Sequence, residues 1–188
     1  MATGATIDGA DQIQFWTGSK YETYYLVNWG PAAGKWVDFL TPTTPSTFPV
    51  PAGSAAWYLS RNAAVPTPVS VTVAGQVATD AIRPQNIETG MNIVAHPYPT
   101  DYAINSQDWV AMGGTAGATI DGADQIQFWT GSKYETYYLV NWGPAAGKWV
   151  DFLTPTTPAA AIIPFGTSAW YISKDDFTWN AARPFDYP

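Results

Sequence analysis

One histidine, fifteen acidic residues and no cysteine are the groups from which this chain could build chemistry. His96 could join Asp101 or Asp108 and a serine in a Ser–His–Asp arrangement. No nucleophile elbow accompanies it, and His96-Pro97-Tyr98-Pro99 reads as the end of a strand, so a structural role is expected. Paired carboxylates beside glycine occur in Ile7-Asp8-Gly9-Ala10-Asp11 and again in Ile120-Asp121-Gly122-Ala123-Asp124. Calcium favours such oxygen clusters but takes about six to eight ligands. Two carboxylates fall short, the spacing is not that of an EF-hand loop, and all four aspartates are expected to form turns. Glu22, Glu88 and Glu135 could supply acids for glycoside hydrolysis. Glu22 and Glu135 occupy the same repeat position, however, and a strand face with lysine nearby accounts for them. Gly113-Gly114-Thr115-Ala116-Gly117 lacks the lysine of a phosphate loop and reads as a connector. Without cysteine there are no disulfides, thiolate metal sites or thiol nucleophiles. The expectation is a protein that is not an enzyme and holds neither cofactor nor metal.

The aromatic residues offer more. Trp16, Tyr24, Trp29, Trp36 and Trp57 cannot all share one strand face, and Trp129, Tyr137, Trp142, Trp149 and Trp170 repeat the problem. Core packing accounts for most of them. An aromatic row left outside the core would stack on sugar rings or pack against protein, so these ten are the candidate interface or ligand-stacking residues.

Composition bounds the class of protein that must position them. Over 188 residues, 15% are aromatic, 12% are charged, and there are 16 Gly and 16 Pro. Aromatic residues favour strands, while Gly and Pro punctuate turns, so the fold class is all-β. A net charge of −7 without a basic cluster excludes nucleic acid as a partner and disfavours an anionic membrane surface. No apolar run approaches the roughly 18 residues of a spanning helix, so membrane insertion is not expected. Cysteine absence, few lysines and abundant Thr, Tyr, Trp and Gly point to an extracellular or bacterial cell-surface location. Met1-Ala2-Thr3-Gly4 lacks the charged and apolar regions of a signal peptide, a start that fits either a cytoplasmic protein or a mature domain whose signal was removed with the rest of its parent.

Residues 4–45 recur letter for letter at 117–158, an offset of 113 residues. In-phase similarity continues beyond the identical stretch through Pro51/Pro164, Gly53/Gly166, Ala56/Ala169, Trp57/Trp170, Tyr58/Tyr171 and Ser60/Ser173. A graded ending of this kind marks homologous modules of a tandem array. It fits recent recombination and an engineered graft equally well.

Within the repeat, alternation predicts strands at Gln12–Trp16, Tyr21–Trp29, Lys35–Leu40 and Ser54–Ser60, the first two joined as a hairpin. The same four return at 125–129, 134–142, 148–153 and 167–173. The unique stretch between them predicts strands at Val69–Val77 and Met91–Ala95, and a helical turn or two over Ala103–Ala111 with Asp101 near its start. The expected architecture is an antiparallel sandwich or barrel-like module built from an internally repeated four-strand unit. Residues 4–68 would form a half module and 69–188 a complete one.

Ala10-Asp11-Gln12-Ile13-Gln14-Phe15-Trp16, Tyr24-Tyr25, the Pro51–Tyr58 run and Gly90-Met91-Asn92-Ile93-Val94-Ala95-His96-Pro97-Tyr98-Pro99 together carry a resemblance. The chain resembles β-rich modules found in tandem in large secreted or surface proteins of bacteria, mostly of unassigned function. That resemblance implies a scaffold role and names no ligand. The functional expectation is a structural protein that assembles with itself into end-to-end filaments or oligomers, because a half module needs a cover. The alternative is a non-catalytic carbohydrate-binding or spacer module, with glycans as the partner.

Overall fold

The alternation of Gln12–Trp16 is realised as strand β1, which turns at Thr17–Lys20 into β2 (Tyr21–Leu26). Thr17 closes the turn twice, its N–H and its hydroxyl both donating to the Lys20 carbonyl at 3.0 Å. Gly18, at φ 92°, takes the left-handed conformation that the turn requires. This hairpin belongs to a computed structural model that describes residues 1–50, 53–61 and 78–186. The protein is all-β, with thirteen strands in antiparallel sheets and three single-turn 3₁₀ helices among the described residues. It divides into two compact units, Met1–Pro51 with Ala56–Gln76, and Ala52–Ala55 with Val77–Pro188.

Among the described residues the first unit contains one sheet. β3 (Trp36–Asp38) and β4 (Ala56–Leu59) flank the hairpin in the order β3-β2-β1-β4. Its buried cluster is small, made of Ala10, Tyr25, Val27, Ala32 and Val37 with Ile7 against it.

The second unit repeats that sheet and adds to it. β8 (Gln125–Trp129), β9 (Tyr134–Leu139), β10 (Trp149–Asp151) and β12 (Ala169–Ser173) reproduce β1 to β4, and the register Gln12↔Tyr25 reappears as Gln125↔Tyr138. β6 (Gly90–Val94) pairs with β12 and widens the sheet to five strands, β10-β9-β8-β12-β6. A two-stranded ribbon joins β5 (Ile82–Ile87) to β13 (Phe177–Ala182), and a second joins β7 (Tyr102–Ala103) to β11 (Ile162–Ile163). A small cluster of Ala123, Tyr138, Val140, Ala145 and Val150 matches that of the first unit. A much larger core lies on the opposite face of the sheet. There Ile126, Phe128, Leu139, Trp149 and Tyr171 meet Ile87, Tyr98, Tyr102, Ile104, Trp109 and Trp179.

Several expected elements need correction. The strands expected over 21–29 and 134–142 stop at Leu26 and Leu139. Beyond those points the chain bonds to the first residue of the repeat: Asn28 N–H donates to the Gly4 carbonyl, and Asn141 N–H to that of Gly117, each at 3.1 Å. The strand expected over 35–40 is confined to Trp36–Asp38, because Asp38 Oδ1 draws the Leu40 N–H into a turn at 2.7 Å. Ala103–Ala111 forms a short strand and turns in place of a helical turn. Asp108, not Asp101, caps those turns by accepting from the Ala111 N–H. β5 and β13 were not anticipated as strands, and the strand expected at Val69–Val77 lies outside the described residues.

Candidate functional site

Alternation along the strands sorts the ten aromatic candidates by sheet face. Trp36, Trp149, Tyr24 and Tyr137 share the inner face, on the side of the large core in the second unit. Trp16, Trp129, Trp57 and Trp170 lie on the outer face. Trp29 and Trp142 stand beyond the strand ends as clips, their indole N–H groups donating to the Ala5 and Ala118 carbonyls at 3.0 Å.

Identical residues meet different surroundings on the two inner faces. In the second unit Trp149 and Tyr171 are both 0% exposed. Trp149 packs edge-on against Trp109 at 5.5 Å, while Tyr171 stacks on Trp109 at 5.4 Å. Asn105 clips this cover to the sheet: its Nδ2 donates to the Trp149 and Ala159 carbonyls, and its Oδ1 accepts the Trp149 N–H at 2.8 Å. In the first unit the counterparts Ile13, Phe15, Trp36 and Tyr58 are all partly exposed, and Ala56 is exposed where Ala169 is buried. Trp36 meets Tyr58 edge-on at 6.2 Å. Tyr24 runs the other way, being buried where Tyr137 is partly exposed. The cause is Phe48, which stands where the second repeat has Ala161 and lies 5.4 Å from Tyr24 and 4.8 Å from Phe15.

The outer faces share one pair of rings in the two units, although Trp57 is exposed where Trp170, on the strand that pairs with β6, is buried. Trp16 meets Tyr21 at 5.0 Å, and Trp129 meets Tyr134 at 5.2 Å, with Trp129 50% exposed. Beside them runs a pair of amides, Gln14 Nε2 donating to Gln12 Oε1 and Gln127 Nε2 to Gln125 Oε1, each at 3.4 Å.

The charged candidates have structural duties. Asp8 and Asp121 sit exposed in 3₁₀ turns, but Asp11 and Asp124 are fully buried and are more than turn residues. Asp124 accepts hydrogen bonds from the Tyr171 hydroxyl at 2.7 Å, the Lys174 N–H at 2.8 Å and the Thr115 N–H at 2.9 Å. Asp11 repeats the arrangement with Tyr58, Arg61 and Ala2 at 2.6, 2.7 and 2.8 Å. Burial raises the Asp124 pKa despite its donors. At Asp11 burial acts in the same sense, but the hydrogen bonds from Tyr58, Arg61 and Ala2 outweigh it and hold the carboxyl below its ordinary value. Glu22 and Glu135 accept from Tyr24 and Tyr137 on their own strands, with Lys20 and Lys133 at 4.0 and 3.4 Å. The Glu88 main chain is bound to the Asn92 side chain.

His96 lies against Tyr102, stacked at 4.7 Å, with Tyr98 and Trp179 close by. Neither ring nitrogen has a partner in good hydrogen-bonding geometry. Burial lowers its pKa, outweighing the nearby backbone groups of Thr100, Tyr98 and Ala182. Asp101 accepts the Phe165 N–H and Asp108 that of Ala111, so each serves the backbone. Among the described residues no three metal-ligating side chains gather. Sequence reasoning missed the anchoring role of Asp11 and Asp124, expected only to form turns, and it missed the cover residues Trp109, Trp179 and Asn105. For Trp179 a signal existed, since Phe177, Trp179 and Ala181 alternate. No known family model, curated protein or solved structure matches the chain.

Proposed function

We propose that this chain is a non-catalytic structural protein of the extracellular space or cell surface that associates with copies of itself. One observation carries the reading. Residues that are identical in the two repeats are fully buried beneath the Trp109 cover in one and partly exposed in the other. Ile13, Phe15 and Trp36 have the side chains of a core, and apolar surface gains about 25 cal/mol per Å² on leaving water. Association with another chain satisfies that surface, either as end-to-end filaments and oligomers or in a closed form. Light scattering on the chromatographic peak of the full chain tests the proposal. A mass above that of one chain supports it, and a single-chain mass at every concentration contradicts it.

A second reading, glycan binding, is favoured by the outer face. A Trp–Tyr pair beside an amide ladder offers both stacking surface and hydrogen-bonding groups; it occurs twice, with both rings exposed in the second unit and Trp16 partly exposed in the first. Binding to an immobilised polysaccharide by a chain that stays monomeric would select this reading.

A further inference from the structure

We infer that the second repeat holds a binding site for a small phenolic molecule, in a cleft between the β8–β9 hairpin and the segment 161–167. The cleft measures about 520 Å³, which lies within the range of sites that take small ligands. Phe128, Ala161 and Pro164 give it an apolar wall, and Thr130, Glu135 and Thr167 supply polar groups. All six belong to the second unit, so the site is complete within that unit and does not depend on self-association.

The first repeat shows that a ring fits against this wall. Phe15, Thr17 and Glu22 match Phe128, Thr130 and Glu135, but Phe48 stands where the second repeat has Ala161. The Phe48 ring lies 4.8 Å from Phe15 and 5.4 Å from Tyr24. Tyr24 is buried there, whereas its counterpart Tyr137 stays partly exposed and stacks on Phe128 at 5.6 Å. Reducing the Phe48 ring to the Ala161 methyl leaves room for one ring against Phe128. An aromatic ligand would restore the contact that the first repeat makes within its own chain.

The polar groups select which ring. Thr130 Oγ1 donates to the Lys133 carbonyl at 3.0 Å, and Thr167 Oγ1 to the Pro164 carbonyl at 2.7 Å. Each hydroxyl has thereby committed its only proton and offers a ligand lone pairs alone. Glu135 is an acceptor as well, and its Oε2 already holds the Tyr137 hydroxyl at 2.9 Å. Lys133 stands 3.4 Å from Glu135 Oε1 and disfavours a second cation beside it. Three acceptors beside an ammonium suit a neutral O–H donor on the ring, which is a phenol.

Equilibrium dialysis of phenol and of anisole against the full chain tests the site, because anisole keeps the ring and oxygen but lacks the donor. Ala161→Phe, which gives the second repeat the residue of the first, is dialysed in parallel. The expected result is saturable binding of one phenol with a Kd of about a millimolar, as suits so small a ligand. Anisole should bind several-fold more weakly, and Ala161→Phe should weaken phenol binding at least about ten-fold. Should Ala161→Phe fail to fold, as judged by circular dichroism, Ala161→Leu takes its place. Absence of saturable binding, or binding unchanged in the Ala161 variant, overturns the site. Anisole binding as tightly as phenol, or displacement of phenol by millimolar glucose, overturns the phenolic ligand. Phenol binding that falls as the chain concentration rises gives the cleft to another copy and overturns it too.

Discussion

Asp124 stands in the sequence like any turn former, yet it anchors the second unit. Its partners Tyr171 and Lys174 are 47 and 50 residues away, which is why no local pattern revealed the role. Asp121, exposed in a single 3₁₀ turn, was legible as a turn residue. A hydroxyl bonded to a buried carboxylate contributes more than a neutral pair, so Tyr171→Phe is expected to cost about 1.5–3 kcal/mol. Tyr58→Phe should cost less, because Tyr58 is partly exposed. Denaturant midpoints of the two variants check the order. His96 was legible as structural, and its ring lies among Tyr98, Tyr102 and Trp179 as an apolar group would. Its pKa is lowered on folding, so the unfolded chain binds the proton more tightly. Its contribution to stability is therefore complete above about pH 6.5, and is lost as the pH falls from there through the folded value. Urea titrations at pH 7.5 and 5.5 should show the native chain weakening on acidification and His96→Phe weakening less.

Strands built on clean alternation, such as β1 and β8, were readable to the residue. Their neighbours were overextended because the end of β2 is decided by the Gly4 segment, a partner that lies far back in the chain. β5 escaped notice because Ile82-Arg83-Pro84-Gln85-Asn86-Ile87 interrupts its pattern with a proline and polar residues. The turn-rich 103–111 segment suggested helix through its spacing, but it serves to bring Asn105 and Trp109 onto the sheet. The bridge between Gly117 and Val140 is equally specific. A methyl group on Gly117 would lie 2.5 Å from the Gly122 carbonyl oxygen, and backbone cannot yield cheaply there. Gly117→Ala should destabilise the second unit by about 1–3 kcal/mol. Gly122→Ala, whose added methyl has no contact closer than 3.6 Å, should be far milder in thermal unfolding.

At the scale of the whole molecule, the repeat and the all-β class were plain in the sequence, because 42 identical residues share every local preference. What differs between the copies is tertiary, and identical letters cannot encode it. The cover is one stretch of unique sequence whose strand partner β13 follows 90 residues later in the register Phe177↔Ile87. Each chain carries a net charge of −7, so association brings like charges together. Raising the salt concentration screens that repulsion and also strengthens apolar burial, so the associated fraction should rise between about 50 and 500 mM salt. A glycan-binding chain that stays monomeric would show no such change in mass. Self-association itself is tested most directly by sedimentation velocity on the full, untagged chain across a micromolar dilution series. The account predicts a boundary that moves faster than one chain and slows toward the single-chain value on dilution. A single slow boundary, unchanged at the highest concentration reached, would contradict it.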